Sequence, residues 1–383
     1  MRTAPRPGSG GYRPGIHWCA AGLASRAYID LSLELHEVAL QVGAEPHIHP
    51  TTLRLQPGGF NTLLGETLAG KTTLLRLMAG LVRPTAGAVW FDGRDVTGVP
   101  VQRRRVSMVY QQFINYSNLS VFDNIASPLR VIGTPAAEIK ARVGSIAELL
   151  RLGPLLERRP SELSGGQQQR TALARALVKD AALVLLDEPL ANLDYKLRES
   201  LRDELPRLFA DRGCTVIYAT TEPAEALLLG GHVATLHQGR VTQFGPCTEV
   251  YREPADLTSA RVFSDPPINV AAASKSGGDI VLDEHVRWPA PSAVRALPDG
   301  PVTVALRPHH VRAAGAAGVA VSGRVLICEI SGSESVVHFE LAGTTWVCLA
   351  HGVQSRTVGE QAGFALDVDR ALYFDAAGRR LAA

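Results

Sequence analysis

The chain has 383 residues, 46% of them hydrophobic and 20% charged, a globular balance that excludes wholesale disorder and predicts two or three domains. Its 39 basic and 37 acidic residues leave a net charge of +2, without the basic excess that a phosphate backbone demands, so no nucleic acid is expected as a partner. No apolar run reaches the ~18 residues of a membrane span, and the five cysteines lack a C-x-x-C pair, which argues against a disulfide framework or zinc site and for a reducing compartment.

Residues 1–30 are rich in Gly, Pro and Arg. Their apolar stretch, Trp18 to Ala24, is too short for a signal peptide, and a disordered extension is expected. From Leu31 the pattern changes: Leu31, Leu33 and Leu35 alternate with Ser32 and Glu34, the period of a strand, and Thr51 to Leu55 alternates again. Phe60 to Leu64 then runs into Gly65, and Leu74, Leu75, Leu77 and Met78 share a helical face that stops at Gly80. Strand, glycine loop and helix in that order predict the first unit of a nucleotide-binding α/β domain. Residues 113–160 read as mainly helical, most clearly Ala136 to Leu152, and Ser161 to Val178 as a polar loop opening a helix. Ala182 to Leu186 is a continuous apolar run ending in Asp187 and Glu188, the mark of a buried parallel strand. A helix from Tyr195 to Asp211 leads to a second such strand, Thr215 to Ala219. Strands alternating with helices predict a mostly parallel sheet covered on both faces. After about Phe263 come short alternating segments separated by Gly and Pro: Val302 to Leu306, Gly323 to Glu329, Ser335 to Leu341, Trp346 to Ala350 and Ala365 to Val368. They predict a second, all-β, barrel-like domain.

Three segments carry chemistry. Gly65-Glu66-Thr67-Leu68-Ala69-Gly70-Lys71-Thr72 fits the phosphate-loop pattern G-x-x-x-x-G-K-[ST]. Its glycines let successive N–H groups turn inward around an anion, and the helix that follows adds its positive end. Lys71 is placed to reach the β- and γ-phosphates, and the Thr72 hydroxyl to reach Mg²⁺. Asp187 and Glu188 close an apolar strand, where one carboxylate can hold the metal and its neighbour can orient or deprotonate the attacking water. Leu163-Ser164-Gly165-Gly166-Gln167 places a serine and two glycines ahead of a helix, a second set of N–H groups ready for an anion. One chain needs only one phosphate cradle, so this one is expected to serve a nucleotide held by another subunit.

In order and spacing these segments resemble the ATP-binding subunits of ABC transporters. Tyr110-Gln111-Gln112 is similar to that family's Q-loop, Leu163 to Gln167 to its LSGGQ signature, Leu183 to Pro189 to Walker B, and Ala191-Asn192-Leu193-Asp194 to its D-loop. The resemblance implies an α/β P-loop NTPase, an ABC-type nucleotide-binding domain over 31–260 with a helical subdomain at about 112–175, followed by an all-β, OB-like domain of TOBE type over 261–383. It implies ATP and Mg²⁺ as ligands. Gly65, Glu66, Thr67, Leu68, Ala69, Gly70, Lys71, Thr72 and Thr73 would surround the chain's own ATP, and Thr72, Gln111 and Asp187 would hold the metal. Glu188 and Gln111 would be catalytic; Ser164, Gly165, Gly166, Gln167 and Asp194 would complete the site of a second ATPase subunit packed head to tail. Phe263 to Asn269, Ala305 to His310 and Glu329 to Glu334 resemble the C-terminal domain of carbohydrate importers of the maltose and glycerol-phosphate type. The wording GETLAGKTT, MVYQQFINY and ATTEPAEALLLGG most resembles one of two unlike ATPases in bacterial glycerol importers. Two membrane-spanning permeases, an extracytoplasmic solute-binding protein acting indirectly, and a peripheral place on the cytoplasmic face of the plasma membrane follow from that resemblance. A homodimeric ATPase for another solute, or a subunit that binds ATP with little hydrolysis, are the alternatives.

The sequence departs from the family at three points. Leu68 stands where a glycine is usual, and its Cβ resists left-handed backbone at a cost of about 1 kcal/mol or more. Thr221 stands where the family has a switch histidine, leaving a short neutral hydroxyl opposite the γ-phosphate. The aromatic that stacks on adenine is replaced by Val42, or its work passes to His47 or His49 in an unusual insertion.

Overall fold

The apolar alternation after Leu31 extends further than its first five residues, because Val38 and Leu40 continue the inward face: β1 (Leu33–Val42) pairs antiparallel with β2 (Glu45–Arg54). In this computed structural model the described residues are 32–381, apart from 192, 211 and 212; the expected N-terminal extension and Asn192 of the D-loop lie outside them. The next elements are β3 (Phe60–Leu64), α1 (Lys71–Ala79), β4 (Ala86–Phe91), β5 (Arg94–Asp95) and β6 (Val106–Val109). Three helices follow, α2 (Val121–Val131), α3 (Ala136–Leu149) and α4 (Gly165–Leu177), and then β7 (Leu183–Asp187), α5 (Tyr195–Ala210), β8 (Thr215–Thr220) and α6 (Pro223–Leu229). The hairpin β9 (His232–His237) and β10 (Arg240–Pro246) leads into two short helices, α7 (Cys247–Arg252) and α8 (Leu257–Val262).

Strands β3, β7 and β8 are buried at every position, as central strands of a sheet covered on both faces must be. They lie in a six-stranded sheet of order β10-β9-β3-β8-β7-β6, parallel except for the β9–β10 hairpin. One face packs Leu63, Leu185 and Ile217 against α1 and a four-stranded antiparallel sheet of order β2-β1-β4-β5. The other packs Phe60, Val184, Leu186 and Val216 against helices α2 to α5.

The C-terminal part holds ten strands among the described residues: β11 (Asn269–Ser276), β12 (Asp279–Val281), β13 (Arg287–Pro289), β14 (Gly300–Leu306), β15 (Val311–Ala313), β16 (Val319–Ile330), β17 (Glu334–Leu341), β18 (Thr344–His351), β19 (Gln361–Leu366) and β20 (Leu372–Phe374). They form two antiparallel sheets, β13-β12-β11-β14-β20 and β15-β19-β16-β17-β18, that share one core around Trp288, Phe339, Trp346 and Phe364. The five segments read from alternation correspond to β14 and β16 to β19. Sequence patterning misses β12, β13, β15 and β20 because three residues cannot display a period, and β11 because Ala271, Ala272 and Ala273 carry little strand preference.

Candidate functional site

Leu64 is in register with Thr220, and Asp187 with Ala219, so the carboxyl ends of β3, β8 and β7 lie side by side. The loops that follow these strands therefore meet at one edge of the sheet. A Cβ on Gly65 would stand 2.6 Å from the Leu236 carbonyl oxygen and 2.9 Å from Ala69 Cβ, so the first loop position accepts only glycine. The Gly65 N–H donates to Thr220 O at 3.3 Å and the Ala69 N–H to Glu66 O at 3.1 Å, and Gly70, at φ 103°, turns the chain into α1. No side chain caps α1, which leaves its first N–H groups and its positive end to an anion. Leu68 adopts φ 69°, the left-handed geometry its Cβ resists, and its side chain is 95% exposed, so no packing offsets the cost of about 1–2 kcal/mol.

Lys71 opens α1 and is only 5% exposed. Its Nζ donates to Gly65 O at 2.8 Å and Glu66 O at 3.0 Å and lies 3.4 Å from Glu188 Oε1. Burial pulls its pKa below the usual lysine value, against the attraction of Glu188 and Asp187. Thr72 Oγ1 donates to Asp187 Oδ1 at 3.0 Å, and Gln111 Nε2 to Glu188 Oε2 at 3.1 Å. Asp187 is 1% exposed; burial raises its pKa, while the Thr72 hydroxyl and Lys71 work to lower it. Glu188 sits at φ 47°, held there by its N–H bond to Ala219 O at 3.0 Å. A bulky residue in that region persists only where its surroundings over-determine it.

These groups open on a cleft of about 500 Å³ lined by Thr67, Leu68, Gly70, Lys71, Thr72, Thr73, Gln111 and Glu188. Gly65, Glu66 and Ala69 shape the loop from behind, and Asp187 is reached through Thr72. Three further lining residues escape sequence reasoning: Pro46, Gln238 and Gly239. His47 is the member of the insertion that lines the cleft; Val42 and His49 do not. Gln238 and Gly239 form the β9–β10 turn, both at positive φ, and the only signal for them is the Gln-Gly pair between two apolar runs. Gly239 N–H donates to Ala69 O at 2.9 Å and its carbonyl accepts from His49 N–H at 2.9 Å, so the turn ties β2 to the phosphate loop. A Cβ on Gly239 would lie 2.4 Å from His47 O. Gly239→Ala is therefore expected to destabilise the fold by about 2 kcal/mol, read as a lower urea midpoint; an unchanged midpoint would show that the hairpin tip yields freely.

The second cradle is separate from this cleft. Ser164 caps α4: its Oγ accepts from Gln167 N–H at 3.4 Å while Gln167 Oε1 accepts from Ser164 N–H at 2.9 Å. Ser164, Gly165, Gly166 and Gln167 are absent from the cleft lining, as is Asp194, whose Oδ1 accepts from Leu197 N–H at the start of α5. Thr221 follows the last residue of β8 and is exposed. The backbone beneath it is fixed by a buried cluster in which Thr220 Oγ1 and Tyr218 Oη donate to Glu225 Oε2 at 2.6 and 3.0 Å. Burial raises the Glu225 pKa, with the Thr220 bond opposing.

Residues 48–191 match the family model described as ABC transporter, and residues 304–374 the model described as TOBE domain. The chain is 35% identical over 352 residues to the sn-glycerol-3-phosphate import ATP-binding protein UgpC of Ralstonia nicotianae, covering 90% of this chain and 95% of that one. It is 37% identical over 314 residues to the protein of the same name from Chromobacterium violaceum, covering 81% and 85%. Among solved structures, a dimer of the ATP-binding cassette MJ0796 in a post-hydrolysis state, bound to ADP and Pi, superposes with a TM-score of 0.52 at 27% identity, over 56% of this chain and 98% of that one.

Proposed function

Because the chain belongs to the ATP-binding proteins of ABC transporters and carries a TOBE domain, we propose that it energises import of a small polyol or its phosphate ester, as one half of a pair of unlike ATPases. Glycerol 3-phosphate, glycerol and related carbohydrates are the candidate substrates on this reading, and the first is supported by the names of its sn-glycerol-3-phosphate import relatives. The observation that carries the ATPase reading is the convergence of Lys71, the Thr72–Asp187 pair and the Gln111–Glu188 pair on one cleft.

The residues fit a bound Mg²⁺: Thr72 Oγ1, the Asp187 carboxylate and the Gln111 amide oxygen are hard donors, and Asp187 is a buried carboxylate to which Thr72 already donates. When bound, Mg²⁺ supplies neutralisation of charge on the β- and γ-phosphate oxygens. Lys71 Nζ, resting on two loop carbonyls, turns to those same oxygens when nucleotide enters. Glu188 accepts hydrogen bonds from the attacking water and takes up its proton, held in position by Gln111. His47 lines the same cleft, and on this reading its ring is the group that stacks on the nucleobase.

In a head-to-tail pair, each ATP lies between one phosphate loop and the other subunit's signature. This chain offers an intact Ser164-Gly165-Gly166-Gln167 to its partner, but Leu68 and Thr221 to itself. No helix among the described residues is long and apolar enough to cross a membrane; on this reading the chain sits peripherally on the cytoplasmic face, beneath two permease subunits. Their docking surface would be the helical subdomain after Gln111, where Ile114, Val131 and Ile132 are 60%, 86% and 64% exposed beside a groove lined by Tyr116, Pro128 and Arg175.

In the assembled transporter, Ser164→Arg is expected to reduce substrate-stimulated hydrolysis more than Glu188→Gln does. Ser164→Arg blocks the partner's better site, whereas Glu188→Gln removes the base from the weaker one. The reverse order would show that the site built on Lys71 dominates. Stimulation by solute-loaded binding protein identifies the substrate: a response to neither glycerol 3-phosphate nor glycerol would overturn the polyol reading.

A further inference from the structure

A second cleft, of about 620 Å³, lies where the chain leaves α7 and meets the β domain. Arg307 forms part of its wall and is 6% exposed. Its Nη1 donates to Phe263 O at 2.7 Å and its Nη2 to Tyr251 O at 2.6 Å, and its guanidinium carbon stands 3.8 Å from the centre of the Tyr251 ring. Burial lowers its pKa, and the one group that favours its charge is Tyr251, not a carboxylate. A buried cation without a counter-ion is costly, so the cleft favours anything anionic that enters it.

Arg252, Arg370 and Arg380 also line this cleft with Glu253 and Asp369, so its lining carries four arginines, Arg307 included, and two carboxylate residues. Among the described residues none of the four arginines forms an ion pair. The neighbouring His310 feels the same field: burial, His309, Arg370 and Arg307 lower its pKa to about 4 against the pull of Asp367. The remaining wall is apolar and aromatic, with Pro289, Pro291 and Tyr373.

We propose that this interdomain cleft binds a phosphate monoester of a small organic alcohol, with Arg370 and Arg380 gripping the phosphate and the Tyr251–Tyr373 side receiving the carbon skeleton. Charge selects the headgroup. The excess of two positive charges, four less two, is cancelled by a phosphate monoester, which carries about −1.5 to −2 at neutral pH, and only halved by a monocarboxylate. Guanidinium forks also match phosphate oxygens in geometry. A volume of this size is in the range that holds a small organic ligand. Arg307 already spends Nη1 and Nη2 on carbonyl oxygens, so its part is to supply field. The site is separate from the nucleotide cleft, and the proposal stands whether or not the chain imports a polyol.

Calorimetric titration of the full chain carrying Lys71→Ala tests it, with glycerol 3-phosphate, inorganic phosphate, sulfate and glycerol as probes. The same titrations are repeated with Arg370→Gln and Arg380→Gln added. Among the described residues neither arginine side chain makes a hydrogen bond, and circular dichroism checks that the variant is folded. Phosphate held by the altered nucleotide loop is common to both proteins and cancels in the comparison. Glycerol 3-phosphate is expected to saturate, to exceed inorganic phosphate and sulfate in affinity, and to weaken by roughly tenfold or more in the arginine variant; glycerol is expected not to bind. Equal affinity in the two proteins overturns the site. Equal affinity for sulfate and glycerol 3-phosphate overturns the monoester assignment, because it shows that the skeleton is not recognised.

Discussion

Lys71→Ala is expected to weaken Mg-ATP binding by roughly tenfold to a hundredfold, the loss that follows when hydrogen bonds from a charged donor are removed. The ammonium is in place before nucleotide arrives. It is almost fully buried and held by Gly65 O and Glu66 O, so binding exchanges carbonyl for phosphate oxygens without first ordering a flexible side chain. Its removal also leaves Glu188 without the cation 3.4 Å away, beside the buried Asp187, so that two carboxylates face an incoming polyanion. Titration with a fluorescent ATP analogue, with thermal melts run in parallel, checks this. Equal affinities in two well-folded proteins would remove Lys71 from the site.

The second large effect is a gain. Charge on the γ-phosphate oxygens must be met by donors already in position, and the loss of one such donor commonly costs about 100-fold in rate. Thr221 supplies a short neutral hydroxyl, so Thr221→His is expected to raise hydrolysis in a complex whose partner site has been disabled by mutation. The backbone at this position tolerates the change: the Glu222 N–H donates to Thr220 Oγ1 at 3.0 Å, and Thr220 is anchored in turn to buried Glu225. The gain is limited by Leu68, which holds a strained left-handed backbone in the phosphate loop with no packing to offset it. Leu68→Gly removes a strained Cβ without loss of packing, and the double variant is expected to exceed either single one. Phosphate release measured for the three proteins decides the point. No increase in any of them would show that position 221 is not the switch and that Leu68 is harmless.

How the site was legible in the sequence depends on how local each part is. Gly65 to Thr73 is contiguous, and its chemistry follows from backbone freedom at Gly65 and Gly70 and from the helix that starts at Lys71. The strain at Leu68 was equally local, since it depends on one residue's own φ. The apolar runs that become β7 and β8 were visible for the same reason: strands buried on both faces are hydrophobic throughout. Pro46, Gln238 and Gly239 were not legible. They reach the cleft only because the β9–β10 turn folds over the loop and hydrogen-bonds both Ala69 and His49, and no periodicity encodes that contact.

The sequence by itself determined the ATP-binding family, the order of two dissimilar folds and the strained position at Leu68, because each resides in a short run with its own geometry. Tertiary structure decided which distant groups meet. Thr72 reaches Asp187 across 115 positions and Gln111 reaches Glu188 across 77, because parallel pairing aligns the ends of β3, β8, β7 and β6. The arginine-lined cleft beside the β domain likewise assembles residues from Arg252 to Arg380. Such convergence is fixed by strand register and by the docking of packed surfaces, long-range interactions that leave no local pattern in the chain.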